Sequence, residues 1–278
     1  MSLGSSVGGA AFALESGFDL STTNFTLITN GASNTKGAYV ELLSAANNVI
    51  SSNRVIVCVG DKGNAQLNTF LIDLAIGSAG NEVNLIENMM CRTSSTSTAH
   101  WFLQFDFPIS IPKNVRISAR CQAPGSSRVI GAYIIRLSDY INQDIGLSLS
   151  DTYGAVTSSA TAGTTVAANT TINTFGSWVE MTASTVNDLS GFLVSAMRIA
   201  ATYMNQVITY EVGVGSAGNE ETIFSGQSVF QNTNETGKGF VSPFVGVEIP
   251  AGSRIAIRAQ TDLSNTAGDL DYIIIGAR

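Results

Sequence analysis

The chain contains the six-residue stretch GSAGNE twice, at 77–82 and at 215–220, a separation of 138 positions. A longer pair keeps the same separation, with IPKNVRISARCQ at 111–122 and IPAGSRIAIRAQ at 249–260. Two shorter matches have a separation of 139: GAYVE at 37–41 with GSWVE at 176–180, and YII at 133–135 with YII at 272–274. All four matches occur in the same order in both halves of the chain. Four collinear matches indicate two copies of one unit, and a repeat this long is a duplicated domain rather than a solenoid.

The length of the chain fits this interpretation, because 278 residues suffice for two domains that each bury a core of their own. The stretch 137–171 between the copies is low in charge and rich in Ser, Thr, Ala and Gly. We place the boundary near residue 147. The first unit is predicted to span 1–147 and the second unit 148–278.

Both copies carry the alternating pattern of a half-buried strand just before GSAGNE, in TFLIDLAIG at 69–77 and ITYEVGVG at 208–215. The two glycines and the Asn of GSAGNE suit a tight turn with positive φ. Further strands are predicted at 38–43, 54–59, 101–107, 130–137, 177–182, 192–200, 239–248 and 270–276. Many short strands separated by Gly, Asn and Ser turns indicate an all-β chain of two tandem, homologous β-sandwich domains resembling jelly rolls.

The IPKN and IPAG stretches predict a second shared turn, since Pro fixes the first corner and Asn or Gly suits the end. The strand that follows is predicted to alternate, with Ile117, Ala119 and Cys121 facing inward. Arg116 and Arg120 share its outward face, as Arg254 and Arg258 do in the second copy.

Few charges are kept in both copies, namely Glu41/Glu180, Asp73/Glu211, Glu82/Glu220, Arg116/Arg254 and Arg120/Arg258. Paired acids serve glycoside cleavage in some enzymes, but charges kept in both copies of a duplicated fold more simply stabilise it. We therefore expect each Glu that ends a GSAGNE turn to meet an Arg of its own unit. Glu82 would pair with Arg116 or Arg120, and Glu220 with Arg254 or Arg258.

The repeat also argues against a metal site, a disulfide or a catalytic set. Cys58, Cys91 and Cys121 align with Met197, Val229 and Ala259, and apolar replacement is typical of small buried thiols. The single histidine, His100, aligns with Lys238 in a stretch of turn formers, so no Ser-His-Asp or Cys-His arrangement is supported. We predict no catalytic residue, no cofactor and no metal ligand.

Composition limits the partners. Charged residues make up 13% of the chain, the net charge is −7 and no basic patch occurs, which excludes nucleic acid as a direct partner. GSAGNE lacks the lysine of a phosphate-binding loop. No apolar run reaches the length of a membrane span, and the first twenty residues lack the pattern of a secretion signal. We expect folding in a host cytoplasm.

GSAGNE, a mixed segment, IP-x-N/G-x-R-I and a closing strand together resemble small β-sandwich units of bacteriophage virion proteins. The amino-acid composition, low in charge and rich in Asn, Thr and Gly, is similar to that of tail-fibre and head-decoration proteins. The resemblance implies a non-enzymatic structural protein in the virion that acts through contacts with other virion proteins or the host surface, foremost as a tail-fibre, spike or adhesion component. A capsid decoration protein or a double jelly-roll coat subunit is the alternative.

A carbohydrate-binding or carbohydrate-active protein is the alternative from a different class. Sugar sites use aromatic platforms, for which Trp101 is a candidate surface residue; Tyr39 and Trp178 align with each other, which also suits simple packing. Exposed edge strands of a sandwich need cover, so we expect a homo-oligomer or contact with other virion chains. A host-surface glycan or receptor is a further possible partner.

Overall fold

The computed structural model describes residues 11–16, 18–19, 24–60, 69–92, 102–139, 147, 149–159, 162–198, 206–230, 239–263 and 270–278. Within these ranges every regular element is a β-strand. The first unit contains β1 Ala11–Ser16, β2 Phe18–Asp19, β3 Asn24–Thr29, β4 Val40–Leu43, β5 Arg54–Gly60, β6 Thr69–Ile76, β7 Val83–Arg92, β8 Phe102–Phe107, β9 Ile117–Gln122 and β10 Val129–Asp139.

The strands of the second unit are β11 Ser150–Tyr153, β12 Thr164–Val166, β13 Val179–Thr182, β14 Gly191–Arg198, β15 Gln206–Val214, β16 Glu221–Phe230, β17 Phe240–Val241, β18 Ile255–Thr261 and β19 Leu270–Ala277. None of the described segments forms a helix that could cross a membrane. The predicted strand at 239–248 is reduced to two residues, and the sequence patterns did not reveal β7 or β16.

Each unit contains the eight strands of a jelly roll, with β1 and β2 added in the first unit and β11 in the second. In the first unit, β3, β10, β5 and β8 lie in one antiparallel sheet, which β1 and β2 extend, and β4, β9, β6 and β7 form the other. The second unit repeats both orders, as β12, β19, β14, β17 and as β13, β18, β15, β16. Two four-stranded sheets connected in this crossing order define a jelly roll. The predicted fold class, two tandem and homologous β-sandwiches, is confirmed.

The two turns predicted from the repeat have the expected backbone conformations. In the first GSAGNE copy, Gly77 and Gly80 have φ of 121° and 84°, and Gly215 and Gly218 repeat this with 134° and 83°. The IP turns end in Asn114 in the first copy and in a glycine in the second, with φ of 61° and 83°. The recurrence of both stretches therefore reflects one turn geometry needed twice.

Two of the sequence matches are displaced in the structure. Tyr133 lies on the outer side of β10, where it stacks on Phe25 with ring centroids 5.2 Å apart, whereas Tyr272 is fully buried in the second core. The two YII stretches are therefore not equivalent. Cys91 lies opposite Phe70, and the corresponding place in the second unit belongs to Ser228 rather than Val229.

A half-buried strand was predicted for both copies before GSAGNE, and this is wrong for the first. Strand β15 alternates between buried and partly buried residues, but β6 is buried along all but its last residue. In β9, Ile117, Ala119 and Cys121 are buried as expected, yet Ser118 and Gln122 on the predicted outward face are buried as well. Part of the outer face of this sheet is therefore covered in the first unit.

The two units share part of their hydrophobic core. Residues of β14 and β19, including Leu193, Ile273 and Ile275, pack into the cluster formed by the first unit. Strand β7 lies against β11, β14 and β19, and Ser195 Oγ donates a hydrogen bond to the carbonyl oxygen of Met90 at 3.1 Å. Strand β19 is consequently buried on both faces, one toward its own sandwich and one toward the first unit.

The backbone at Leu147 contacts the first unit, and the backbone at Leu149 contacts the second. The carbonyl oxygen of Leu147 accepts a hydrogen bond from the backbone N–H of Ser110 in the first unit. The carbonyl oxygen of Leu149 accepts from Arg278 in the second unit. The described strands of the two units accordingly divide between Asp139 and Ser150.

All three cysteines are buried thiols. Burial raises the pKa of the Cys121 thiol to about 12, and its Sγ donates to the carbonyl oxygen of Ile28 at 3.7 Å. Since the thiolate is the reactive form, we expect no reaction of the folded protein with Ellman's reagent at neutral pH and reaction of all three thiols in denaturant. Fewer than three thiols in non-reducing denaturant would contradict this, because a disulfide would then be present.

Candidate functional site

A Glu–Arg network recurs in both units. Glu82 Oε1 accepts from Arg116 Nη1 at 2.9 Å, and Glu220 Oε1 accepts from Arg254 Nη1 at 2.7 Å. The second oxygen of each Glu accepts from a backbone N–H of its own turn, that of Gly80 or of Gly218, in both cases at 2.9 Å. Each Glu thus fastens its turn to the strand that follows the IP turn.

The same arginines bind a second carboxylate. Arg116 Nε donates to Glu41 at 2.9 Å, and Arg254 Nε donates to Glu180 at 2.7 Å. The arrangement recurs in both copies, and each of these four acids is paired with a guanidinium, which gives the turn and its neighbouring strands a defined geometry.

The pKa values of Glu82 and Glu220 lie below the ordinary value of a glutamate. Partial desolvation acts against this, but the hydrogen bonds from backbone N–H groups and arginine outweigh it. Because the folded-state pKa is lower than the unfolded one, each carboxylate stabilises the protein fully above the unfolded pKa of about 4.3. That contribution is lost as the pH falls through the folded value.

We therefore expect the double variant Glu82→Gln/Glu220→Gln to lose less stability than the parent protein when the pH is lowered from 6 to 3. The parent should become progressively less stable below about pH 4.5, since its unfolded state then binds more protons than its folded state. Urea unfolding at several pH values measures this. Parallel pH profiles of the two proteins would contradict the assignment.

The other shared arginines, Arg120 and Arg258, do not reach the turn glutamates. Arg120 Nε donates to Asp73 at 2.8 Å, and Arg258 Nε donates to Glu211 at 2.7 Å. In the second unit the Arg258 guanidinium lies 4.7 Å from the ring centroid of Phe175 and 4.4 Å from that of Trp178. Two aromatic rings and one carboxylate thus surround this arginine.

The first unit departs from this arrangement at two places. Lys36 occupies the position of Phe175, since each precedes the matched glycine of GAYVE or GSWVE. Strand β7 also carries an additional residue: Glu87 and Asn88 together oppose Asp73, forming a β-bulge that β16 lacks at the equivalent place. Asn88 takes the left-handed conformation there, with φ of 56°.

These two changes surround a buried carboxylate. The side chain of Asp73 is 2% exposed. Its Oδ1 accepts from Lys36 Nζ at 2.6 Å and from the backbone N–H of Asn88 at 3.0 Å, while Oδ2 accepts from Arg120. Lys36 Nζ also donates to Asn88 Oδ1 at 2.9 Å and to the carbonyl oxygen of Leu71 at 3.3 Å. Burial lowers the pKa of Lys36, and attraction to Asp73 opposes that shift.

Above this network lies an open cavity of about 460 Å³. The second unit contributes to its wall through Thr157, whose carbonyl oxygen accepts from Gln122 Nε2 at 2.9 Å. The lining residues are Asn34, Thr35, Lys36, Asp73, Glu87, Asn88, Arg120, Gln122 and Thr157. All of them are polar, and two cations and two acids balance in charge. The cavity is the candidate functional site.

The sequence had suggested aromatic platforms instead. Trp101 lies outside the described residues, as does His100. The Arg120 guanidinium lies 4.5 Å from the ring centroid of Tyr39, and the Arg258 guanidinium lies over Trp178 in the same way. Both rings therefore pack against arginines. The Tyr39 hydroxyl donates to Asn84, and burial raises its pKa.

Sequence reasoning missed Lys36, Asn88, Gln122 and Thr157 as parts of one site. A single signal was available, because Lys36 stands where the other copy has Phe175. The described residues contain no cluster of three or more His, Cys, Asp or Glu side chains placed to hold a metal ion.

No protein-family model and no curated protein matches this sequence. Similar solved structures include PNGF-II, with a TM-score of 0.38 and 9% identity over 92% of this chain; the match spans 66% of that protein, just under two thirds of its length. The N-terminal CBM22-1-CBM22-2 tandem domain of Xyn10C from Paenibacillus barcinonensis has a TM-score of 0.30 and 11% identity, covering 98% of this chain and 92% of the other.

A structure of the Gx strain of infectious bursal disease virus is also similar, with a TM-score of 0.25 and 10% identity, covering 97% of this chain and 71% of that chain. Likenesses at these TM-scores carry no argument about function.

Proposed function

We propose that this chain is a non-enzymatic structural protein of a bacteriophage particle, made in the host cytoplasm, and that it serves foremost in a tail fibre, spike or other adhesion component. The observation that carries the proposal is the shared core: Leu193, Ile273 and Ile275 of the second unit pack into the core of the first. A duplication that joins two sandwiches through one shared core suits a building block with contact surfaces on both units.

The charges kept through the duplication support the same proposal. Glu82 and Glu220 fasten turns, and their arginines bind one further carboxylate each. A charged network that recurs in both copies and holds turns in place is what a structural protein would retain through a duplication. A capsid decoration protein or a double jelly-roll coat subunit is the alternative, favoured by the tandem arrangement itself.

One edge of the second unit supports assembly. Among the described strands, β16 pairs only with β15, and residues 222–230 contain neither a charge nor a proline. Natural sheets usually protect such edges with charges or proline. The equivalent strand of the first unit, β7, is covered by the second unit. We infer that β16 is covered in the particle, by another copy of this chain or by a neighbouring virion protein.

The test is the oligomeric state of the purified chain by light scattering, with negative-stain microscopy of the assemblies. We expect a closed oligomer for the parent and its disruption by Ser225→Lys/Gln227→Lys, which places charge on exposed positions of β16. Ala183→Lys, an exposed position away from this edge, is the control and should assemble normally.

A parent protein that stays monomeric at its highest soluble concentration, with no partner in particles, would overturn the proposal. An antibody against this chain, applied to intact particles in the microscope, then separates the two roles. Labelling of the tail supports the attachment role, and labelling of the shell supports the decoration or coat role.

A further inference from the structure

The cavity of the first unit differs from the rest of the duplicated structure, because the second unit fills the same place with side chains. Phe175 and Trp178 enclose Arg258 there. In the first unit Lys36 replaces the phenylalanine and reaches down to Asp73, so that the space above Arg120 is open. The first unit thus carries a concave site that the fold itself does not require.

This site is accompanied by features that are particular to the first unit. It involves a β-bulge with Asn88 in the left-handed region, a conformation that Asn tolerates better than most non-glycine residues. It also involves a lysine whose side chain is only 18% exposed, although lysine is rarely buried. The second unit forms the same two sheets with neither feature, so both are particular to the first unit.

We infer that this cavity is a saccharide-binding site, which takes a sugar with unmodified hydroxyl groups. The inference rests on the attachment role proposed above and names the class of ligand that would be recognised. A sugar hydroxyl both donates and accepts hydrogen bonds, and the lining offers donors and acceptors side by side.

The available groups fit hydroxyls better than an anion or an apolar ligand. Arg120 uses Nε for Asp73, and its two terminal nitrogens have no hydrogen-bond partner among the described residues. The positive charges of Lys36 and Arg120 are balanced by Asp73 and by Glu87 at the rim, which disfavours phosphate. No apolar residue lines the cavity, and a volume of about 460 Å³ lies within the range of small-molecule sites.

The absence of an aromatic platform sets the expected strength of binding. Tyr39 is stacked under Arg120, and none of the lining residues is aromatic. Recognition therefore depends on hydrogen bonds. Each of them replaces a hydrogen bond to water and therefore adds little to the free energy of binding. A single site should bind weakly, and avidity through several copies in an oligomer would raise the effective affinity.

The test uses the full chain and saturation-transfer NMR with D-galactose, D-glucose and N-acetyl-D-glucosamine, together with an array of neutral and sialylated glycans. We expect transfer to at least one sugar. Lys36→Phe installs the side chain of the second unit and should reduce binding at least tenfold, with thermal unfolding as the check that the variant folds.

A second variant avoids the buried network. Thr35→Trp places a bulky ring at the exposed rim, and Thr174→Trp makes the same change at the matching exposed position of the second unit. Loss of sugar binding in the first and retention in the second supports the site. Equal binding by Thr35→Trp and the parent, or saturation by inorganic phosphate in place of sugar, would overturn the inference.

The two proposals fail separately. A chain that assembles through β16 but binds no sugar overturns the saccharide site and leaves the structural role. A chain that binds sugar through this cavity but remains monomeric overturns the proposed assembly and leaves the site.

Discussion

Asp73→Ala is expected to destabilise the protein by about 3–5 kcal/mol, the cost of leaving a buried ion pair without one partner. The side chain is 2% exposed and receives hydrogen bonds from Lys36, Arg120 and the backbone of Asn88. Its removal leaves the Lys36 ammonium buried without a counter-charge and frees the bulge. Urea unfolding followed by circular dichroism measures the loss.

The duplicated fold supplies the matched control. Glu211 holds the equivalent place but is 15% exposed against 2% for Asp73, and it pairs with an arginine alone rather than with a lysine and an arginine, so Glu211→Ala should cost less than Asp73→Ala. Adding Lys36→Met to Asp73→Ala should recover part of the loss, because no ammonium then remains buried alone. Equal costs of Asp73→Ala and Glu211→Ala would refute this account of the first unit.

Ile273→Ala is expected to lower the stability of both units together, by about 2–5 kcal/mol for a large-to-small change in a well-packed core. Ile273 belongs to β19 of the second unit but is fully buried within the core of the first. Each unit contains one tryptophan, Trp101 and Trp178. Variants that retain only one of them report on each unit separately by fluorescence.

Both reporters should show one unfolding midpoint in the parent and an equal downward shift in Ile273→Ala. The control is Ile135→Ala, the outer position of β10 in the first unit, where the isoleucine is only partly buried and the loss should be smaller. Two separate transitions, or a shift seen by Trp178 alone, would show that the units unfold independently.

Much of the fold could be predicted because the sequence contains its own comparison. The repeat established the duplication, and positive φ at Gly80 and Gly218 follows from turn chemistry that is local. The contact of each turn Glu with an Arg was also predicted, although the sequence did not distinguish Arg116 from Arg120. Whether the turn Glu contacts Arg116 or Arg120 depends on the distance between two strands. The spacing of residues along a single strand does not give that distance.

The candidate site was not predicted, for reasons that are non-local. The bulge at Asn88 becomes evident only when the pairing of β7 with β6 is known. The wall at Thr157 depends on how the second unit packs against the first. The YII match misled because two tyrosines in the same three-letter stretch face opposite sides, Tyr133 outward and Tyr272 inward, and a shift of one residue in a strand reverses every side chain.

The position of β19 has a consequence for biosynthesis. It is a central strand of its sheet, paired with β11, β12 and β14, and its other face covers the first unit. While the ribosome is still translating the residues before 270, the second sheet lacks its centre and the apolar surface around β7 is uncovered. The nascent first unit therefore exposes this apolar surface for the whole time that the second unit is being made, and the yield of folded protein should depend on chaperones that bind the nascent chain.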